Sequence, residues 1–215
     1  MKLKALFEEQ DIINKEIARQ IIEDCHPYLT EINHDVDSYR LFRGLQMESF
    51  ARRNKEIAKN VFKATVRKDR TPLNTPKVFH EFVDNWMEEN LGEKFRSGSI
   101  FCAANRITVL NFGKPYVIMP IGKFSYAWSP YIEDLYSDVE ELNFSLANKD
   151  SKEVDEAKKK LKEILDGADY RKEDLTRMMK EYKSHEVMLC CDEYYAFEQN
   201  TYDNYFCPLY DLLTK

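Results

Sequence analysis

Apolar residues recur at helical spacing over much of the N-terminal half of the chain. This spacing predicts one helix over residues 3–24 and another over residues 48–64, with a short strand over residues 38–45 between them. A further helix is predicted to begin with Thr75 as its N-cap, followed by a proline in the first turn, and to end at Gly92. The first part of the chain is therefore expected to be mainly helical.

After this helix the pattern changes to short segments rich in aromatic and β-branched residues, separated by glycine, asparagine or proline. Such segments predict strands; they are Phe95–Ala103, Ile107–Phe112, Tyr116–Pro120, Lys123–Trp128, Glu186–Cys191 and Tyr194–Phe197. Residues 131–183, between the fourth and fifth of these segments, return to a charged helical pattern. We therefore predict a single α+β domain over residues 1–215, with N-terminal helices and a charged helical insertion at about residues 131–183.

Composition narrows the possible functions. The 215 residues include 38 acidic and 32 basic side chains, a net charge of −6, so a general electrostatic attraction to nucleic acid is not expected. There is no run of about 18 apolar residues that would span a membrane, and the N-terminus lacks the apolar stretch of a signal peptide. The five cysteines follow no disulfide pattern. We expect reduced thiols, no metal site and a cytoplasmic protein, whereas the oligomeric state is not indicated.

Arg43, at the end of the first predicted strand, is the first candidate for binding chemistry. An arginine within a sheet is costly to bury unless it is paired, because its guanidinium keeps its charge in proteins. The planar set of donors matches a diphosphate or a carboxylate. A structural ion pair or a position on an edge strand would explain the residue as well.

Two more polar elements interrupt strand-like runs nearer the C-terminus. Ser97-Gly98-Ser99 would place both hydroxyls on one face of a strand, although ordinary strand polarity explains them too. Glu186 begins an otherwise apolar run, where its carboxylate could bind a sugar hydroxyl or stabilise positive charge. Glu193 is the alternative candidate, but it lies beyond that run in a predicted turn. Any single glutamate is more often a surface residue than a catalytic one.

Several common nucleotide-binding motifs are missing. The chain has six glycines and contains neither the G-x-G-x-x-G pattern nor the P-loop pattern, which argues against Rossmann and P-loop enzymes. The basic loop at Arg67–Arg70 is expected to be solvated, or else to contact a phosphate or an acidic partner.

In this order, the three polar elements resemble the R-S-E arrangement of the ADP-ribosyltransferase superfamily. Phe42-Arg43-Gly44 resembles its aromatic-Arg strand. Phe95-Arg96-Ser97-Gly98-Ser99 resembles its Ser-Thr-Ser strand, with Gly98 at the position of the usual threonine. Glu186-Val187-Met188-Leu189 resembles its Glu-headed strand, and Arg106–Phe112 with Tyr116–Pro120 resembles its short helix followed by a strand. The resemblance implies a split β-sheet core and NAD as co-substrate, bent between the two half-sheets, with no metal.

The resemblance also implies a role for each residue. Arg43 would bind the diphosphate, Ser97 would hold the nicotinamide ribose and orient Glu186, and Ser99 would support the strand. Glu186 would stabilise the oxocarbenium-like transition state. Ser184, where the arginine-modifying branch has Glu or Gln, argues against arginine as the acceptor; Ser184 and Arg70 are expected near the substrate.

Three functions follow as hypotheses. The first is an NAD-dependent ADP-ribosyltransferase, similar to a phage or bacterial effector, that modifies a host protein or nucleic acid. The second is a non-enzymatic interaction or inhibitor protein that uses this or another α+β fold to bind a host partner. The third is a related enzyme that consumes NAD without an acceptor, or a phosphotransferase using the same pocket.

Overall fold

The computed structural model describes residues 12–68, 76–140, 142 and 151–215. The fold is α+β, and the chain divides into two compact units. The described residues of the first unit are 12–65, 102–124 and 191–215, and those of the second are 66–68, 76–101, 125–140, 142 and 151–190. The prediction of a single domain over residues 1–215 stays a prediction.

The elements are numbered along the described chain. Its helices are α1 (Lys15–Asp24), α2 (His26–Glu31), α3 (Met47–Ala51), α4 (Lys77–Leu91), α5 (Phe95–Gly98), α6 (Leu135–Asp138), α7 (Ser151–Gly167), α8 (Leu175–Glu181), α9 (Gln199–Thr201) and α10 (Cys207–Thr214), with a 3-10 helix at Thr108–Phe112 and a π-helix at Tyr202–Phe206. Its strands are β1 (Leu41–Leu45), β2 (Lys55–Ala58), β3 (Val61–Thr65), β4 (Ser99–Cys102), β5 (Lys114–Ile121), β6 (Ser125–Trp128), β7 (Val187–Cys190) and β8 (Glu193–Glu198).

The first unit is built on a five-stranded sheet with the strand order β1-β5-β8-β3-β2, in which each neighbouring pair is antiparallel. Asp24, at the end of α1, joins this helix to strand β8 and to the residue that follows β5. Its carbonyl accepts from Gly122 N at 2.7 Å, and its Oδ2 accepts from the Tyr195 hydroxyl at 2.6 Å. An aromatic cluster of Phe197, Tyr202 and Phe206 packs the C-terminal helices against β8.

Some predictions for the first unit are confirmed and others are wrong. The strand over residues 38–45 is confirmed as β1, and helix α1 lies within the predicted 3–24, of which residues 3–11 are outside the described chain. The helix over residues 48–64 is wrong, because α3 is followed by the β2–β3 hairpin. Asn60 makes the hairpin turn with a φ of 61°, a left-handed conformation that asparagine tolerates. The predicted strand at Ile107–Phe112 is a 3-10 helix.

The second unit places a three-stranded sheet, in the order β4-β7-β6, among helices. One apolar cluster joins helices α4, α6 and α7 to strands β6 and β7; its buried members include Phe79, Val83, Met87, Phe95, Ala127, Leu135, Leu161, Leu165 and Met188. The helical segment after residue 131 therefore contributes to this core: α7, from within it, packs its apolar stripe against α4. Its charged residues lie on the other side of the helix.

Helix α4 confirms the predicted helix, with Gly92 as a left-handed C-cap at a φ of 82°. The predicted start is wrong by one residue: the N-cap is Pro76, which was expected in the first turn, and Thr75 lies outside the described residues. The predicted strand across Ser97-Gly98-Ser99 is wrong in its first part. Ser97 belongs to the short helix α5, and the strand begins at Ser99.

Candidate functional site

Arg43 lies on the apolar face of β1, in the first unit. Side chains two residues apart on a strand share a face, so Arg43 lies between Leu41 and Leu45, both of which are buried. Tyr116 is its partner across the strand pair and is buried as well. A charged side chain therefore lies on a strand face whose other residues are apolar and buried.

The guanidinium of Arg43 is incompletely hydrogen-bonded. Its Nε and Nη1 are buried, and no residue in the described part of the chain accepts a hydrogen bond from either atom. A buried donor without an acceptor costs free energy, and the cost is larger for a charged group. Arg40 differs: its Nη1 donates to Asp203 Oδ1 at 2.6 Å, and its guanidinium lies 5.2 Å from the ring centre of Tyr202. Arg40 therefore forms a structural ion pair with Asp203. Arg43 instead has buried donors of the kind that bind an anion.

The backbone beside Arg43 is held by a close contact between two segments. A Cβ atom on Gly44 would lie 2.2 Å from the carbonyl oxygen of Val109, and one on Gly113 would lie 2.5 Å from the carbonyl oxygen of Leu45. These glycines let the 3-10 segment approach β1 more closely than any side chain would permit. The strand end that carries Arg43 is therefore fixed by backbone packing.

Ser97, Ser99 and Glu186 all belong to the second unit. Ser99 opens β4, Glu186 directly precedes β7, and these strands are hydrogen-bonded neighbours in the sheet. Ser99 is fully buried, which suits the supporting role that the resemblance implies, whereas Ser97 is half-buried. The backbone N–H of Ser97 donates to Asp84 Oδ1 at 3.1 Å, so a residue of α4 positions this turn.

Glu186 is held by its backbone and remains partly accessible. Its N–H donates to the carbonyl oxygen of Glu133 at 2.8 Å, and its side chain is 18 % exposed. The preceding residue is also anchored, because His185 Nδ1 lies 2.9 Å from the carbonyl oxygen of Ser129. The backbone at Glu186 is therefore fixed, and the carboxylate remains partly accessible to a ligand.

Sequence reasoning missed the residue that pairs with this carboxylate. Nη1 of Arg96 lies 3.5 Å from Oε1 of Glu186, and the side chain of Arg96 is only 5 % exposed. The guanidinium lies 4.9 Å from the ring centre of Phe101 and 5.9 Å from that of Phe79. The sequence offered one signal for this pair, which is the charged residue Arg96 between Phe95 and Ser97. A buried arginine requires an anion, so a carboxylate partner could have been sought.

The charge of Glu186 also acts on Tyr170. Burial and then the negative charge of Glu186 raise the pKa of the Tyr170 hydroxyl, while the nearby Arg96 opposes this rise. The hydroxyl therefore stays protonated at neutral pH.

The remaining predicted residues contribute less. Ser184 is half-buried in the turn before Glu186, and Arg70 lies outside the described residues. Glu193 was predicted to lie in a turn, but it is the first residue of β8 in the first unit, where it pairs with Lys63 at 3.0 Å. Across the described ranges, no group of three or more His, Cys, Asp or Glu side chains is arranged to hold a metal ion. Within the same ranges no helix has the length and apolar character needed to cross a bilayer.

Comparisons of the chain with protein-family models, with curated proteins and with solved structures found no match. What the chain does is therefore inferred from the geometry of Arg43 in the first unit and of Glu186 in the second.

Proposed function

We propose that the chain is an NAD-dependent ADP-ribosyltransferase acting inside a cell. The observation that carries the proposal is the guanidinium of Arg43, which has two buried donors without an acceptor in the described chain. Such a group stabilises a folded protein poorly and binds a diphosphate well. Glu186, fixed by its backbone and partly exposed, supplies the carboxylate that the chemistry needs.

The reaction breaks the bond between the nicotinamide nitrogen and C1 of the adjoining ribose. The bonding electrons leave with nicotinamide, which departs as a neutral molecule, and positive charge develops on the ribose ring. Glu186 accepts a hydrogen bond from the ribose 2′-hydroxyl and stabilises this charge, as carboxylates do in glycoside cleavage. A nucleophile of the acceptor then bonds to C1 and releases its proton to solvent.

The acceptor is a host protein or nucleic acid. The side chain at position 184 is a serine, not the Glu or Gln of the arginine-modifying branch that the chain resembles. This favours an acceptor other than arginine.

The experiment that tests the proposal uses purified protein, labelled NAD and a cell lysate, and follows the label into protein, nucleic acid and free ADP-ribose. Label attached to a macromolecule by the wild type supports the transferase and identifies the acceptor class. Free ADP-ribose as the sole labelled product would instead favour an enzyme that consumes NAD without an acceptor. Unchanged NAD would contradict both.

A second candidate is a non-enzymatic binding protein, favoured by one exposed apolar segment of the first unit. Ile107, Leu110 and Phe112 are 72 %, 48 % and 64 % exposed, although large apolar side chains rarely cluster on a free surface. The partner would be a host protein with a complementary apolar surface. A stable complex that is lost in Phe112→Ser, together with unchanged NAD, would select this candidate over the transferase.

A further inference from the structure

The turn that carries Arg96 is anchored to helix α4 by a buried carboxylate. Asp84 Oδ1 accepts from the backbone N–H of Arg96 at 2.9 Å and from that of Ser97 at 3.1 Å. The other oxygen of Asp84, Oδ2, lies 3.5 Å from Nε2 of His80, one turn earlier on the same helix. All of these residues belong to the second unit, and His80, Asp84 and Arg96 are buried. The position of the Arg96 backbone is therefore set by the core helix.

The side chain of Arg96 is buried and packs on aromatic rings. The guanidinium lies over Phe101 at 4.9 Å and near Phe79 at 5.9 Å, and a cation near an aromatic face is held by the ring quadrupole. A flat guanidinium packed in this way has little rotational freedom. Its Nη1 then lies 3.5 Å from Oε1 of Glu186.

We infer that Arg96 is a positioning residue that holds the carboxylate of Glu186 in the orientation needed for NAD cleavage. This inference rests on the proposed function. A carboxylate that must meet a developing charge within a few tenths of an ångström loses rate when it can rotate, and a misplacement of 1 Å can cost about 100-fold. On this inference, the charge of Arg96, 3.5 Å from Oε1, opposes that rotation.

The test compares Arg96→Lys and Arg96→Met with the wild type in steady-state NAD cleavage. We expect kcat to fall by about 10- to 100-fold in Arg96→Met, while the KM for NAD changes by less than about 3-fold. Arg96→Lys keeps the charge but not the planar fork, so it should recover part of the lost kcat. A purely structural role would give folded variants with the wild-type kcat.

The matched control is Arg171→Lys. Arg171 is another arginine of the second unit that lies over an aromatic ring and pairs with a carboxylate, with Trp128 at 5.7 Å and Asp169 Oδ2 at 3.0 Å from Nε. Its conservative variant should keep the wild-type kcat. A loss as large as that of Arg96→Lys would overturn the specific role of Arg96.

The outcomes separate this inference from the proposed function. If the wild type leaves NAD intact, both fail. If the wild type cleaves NAD, Glu186→Gln does not, and both Arg96 variants keep the wild-type kcat, this inference alone fails. A variant that raises KM with kcat unchanged would also overturn it, because Arg96 would then bind NAD. If Arg96→Met does not unfold cooperatively, it is not properly folded and its kcat does not count. Arg96→Lys, which retains the buried positive charge, then serves as the test by itself.

Discussion

Nη1 of Arg96 and Oε1 of Glu186 lie 3.5 Å apart, although the two residues come from distant parts of the chain. The pair joins a fully packed cation to a carboxylate that is 18 % exposed. A buried ion pair contributes little net stability compared with apolar residues of similar volume. We therefore expect the pair to matter for the direction of the carboxylate more than for the stability of the fold.

Arg43→Met should stabilise the protein while weakening NAD binding. The substitution removes two buried donors that have no acceptor in the described chain and adds an apolar side chain between Leu41 and Leu45. We expect the free energy of unfolding to rise by about 1–3 kcal/mol. Denaturant unfolding and NAD titration measure the two effects.

The control for Arg43 is Arg40→Met. Arg40 is paired with Asp203 and lies over Tyr202, so its loss should lower the free energy of unfolding by about 1–2 kcal/mol. A lower stability for Arg43→Met as well, or an unchanged NAD titration, would contradict the role given to Arg43.

Gly44→Ala should destabilise the first unit. The new Cβ would lie 2.2 Å from the Val109 carbonyl oxygen, which is backbone and cannot turn aside. We expect a loss of about 1–3 kcal/mol in the free energy of unfolding. Gly98→Ala is the control, because the nearest atom to its Cβ would be Cys190 Sγ at 3.7 Å, an ordinary contact. Equal stability of the two variants would show that the close approach at Gly44 has been misread.

Stability should fall at alkaline pH through buried acids of the first unit. Burial, followed by the negative charge of Asp37, raises the pKa of the Cys207 thiol from 9.0 to about 12. The unfolded chain releases this proton first, so the stabilisation is complete below pH 9.0 and is lost as the pH rises to about 12.

Unfolding midpoints measured across this window should fall less steeply in Cys207→Ala than in the wild type. A residual slope remains in the variant, because burial also raises the pKa values of Tyr28 and Tyr202. Identical slopes for both proteins would rule out a contribution from Cys207.

The sequence predicted the elements whose causes are local, and missed those that depend on distant partners. Helix α4 was predictable because its apolar stripe and its Gly92 cap lie within the helix. The turn at Ser97 was not, because Asp84, thirteen residues earlier, accepts its backbone hydrogen bond. The β2–β3 hairpin was missed for a similar reason: its strand character depends on pairing between β3 and β8.

The same distinction applies to the candidate site. Arg43 and Glu186 could be named as candidates from the sequence, because one is a charged residue within an apolar strand and the other directly precedes one. Arg96 was not found, since only the fold brings it to Glu186. Its burial could have been suspected from the aromatic residues near it, but its partner could not have been named.

The most direct test of the central claim is the rate of NAD cleavage by wild type, Glu186→Gln and Glu193→Gln. Glu186→Gln keeps the size of the side chain and removes its charge, so we expect turnover to fall by about 100- to 1000-fold. Glu193→Gln makes the same chemical change in a carboxylate paired with Lys63 and should keep wild-type turnover. Equal turnover by wild type and Glu186→Gln, or no turnover by the wild type, would contradict the assignment.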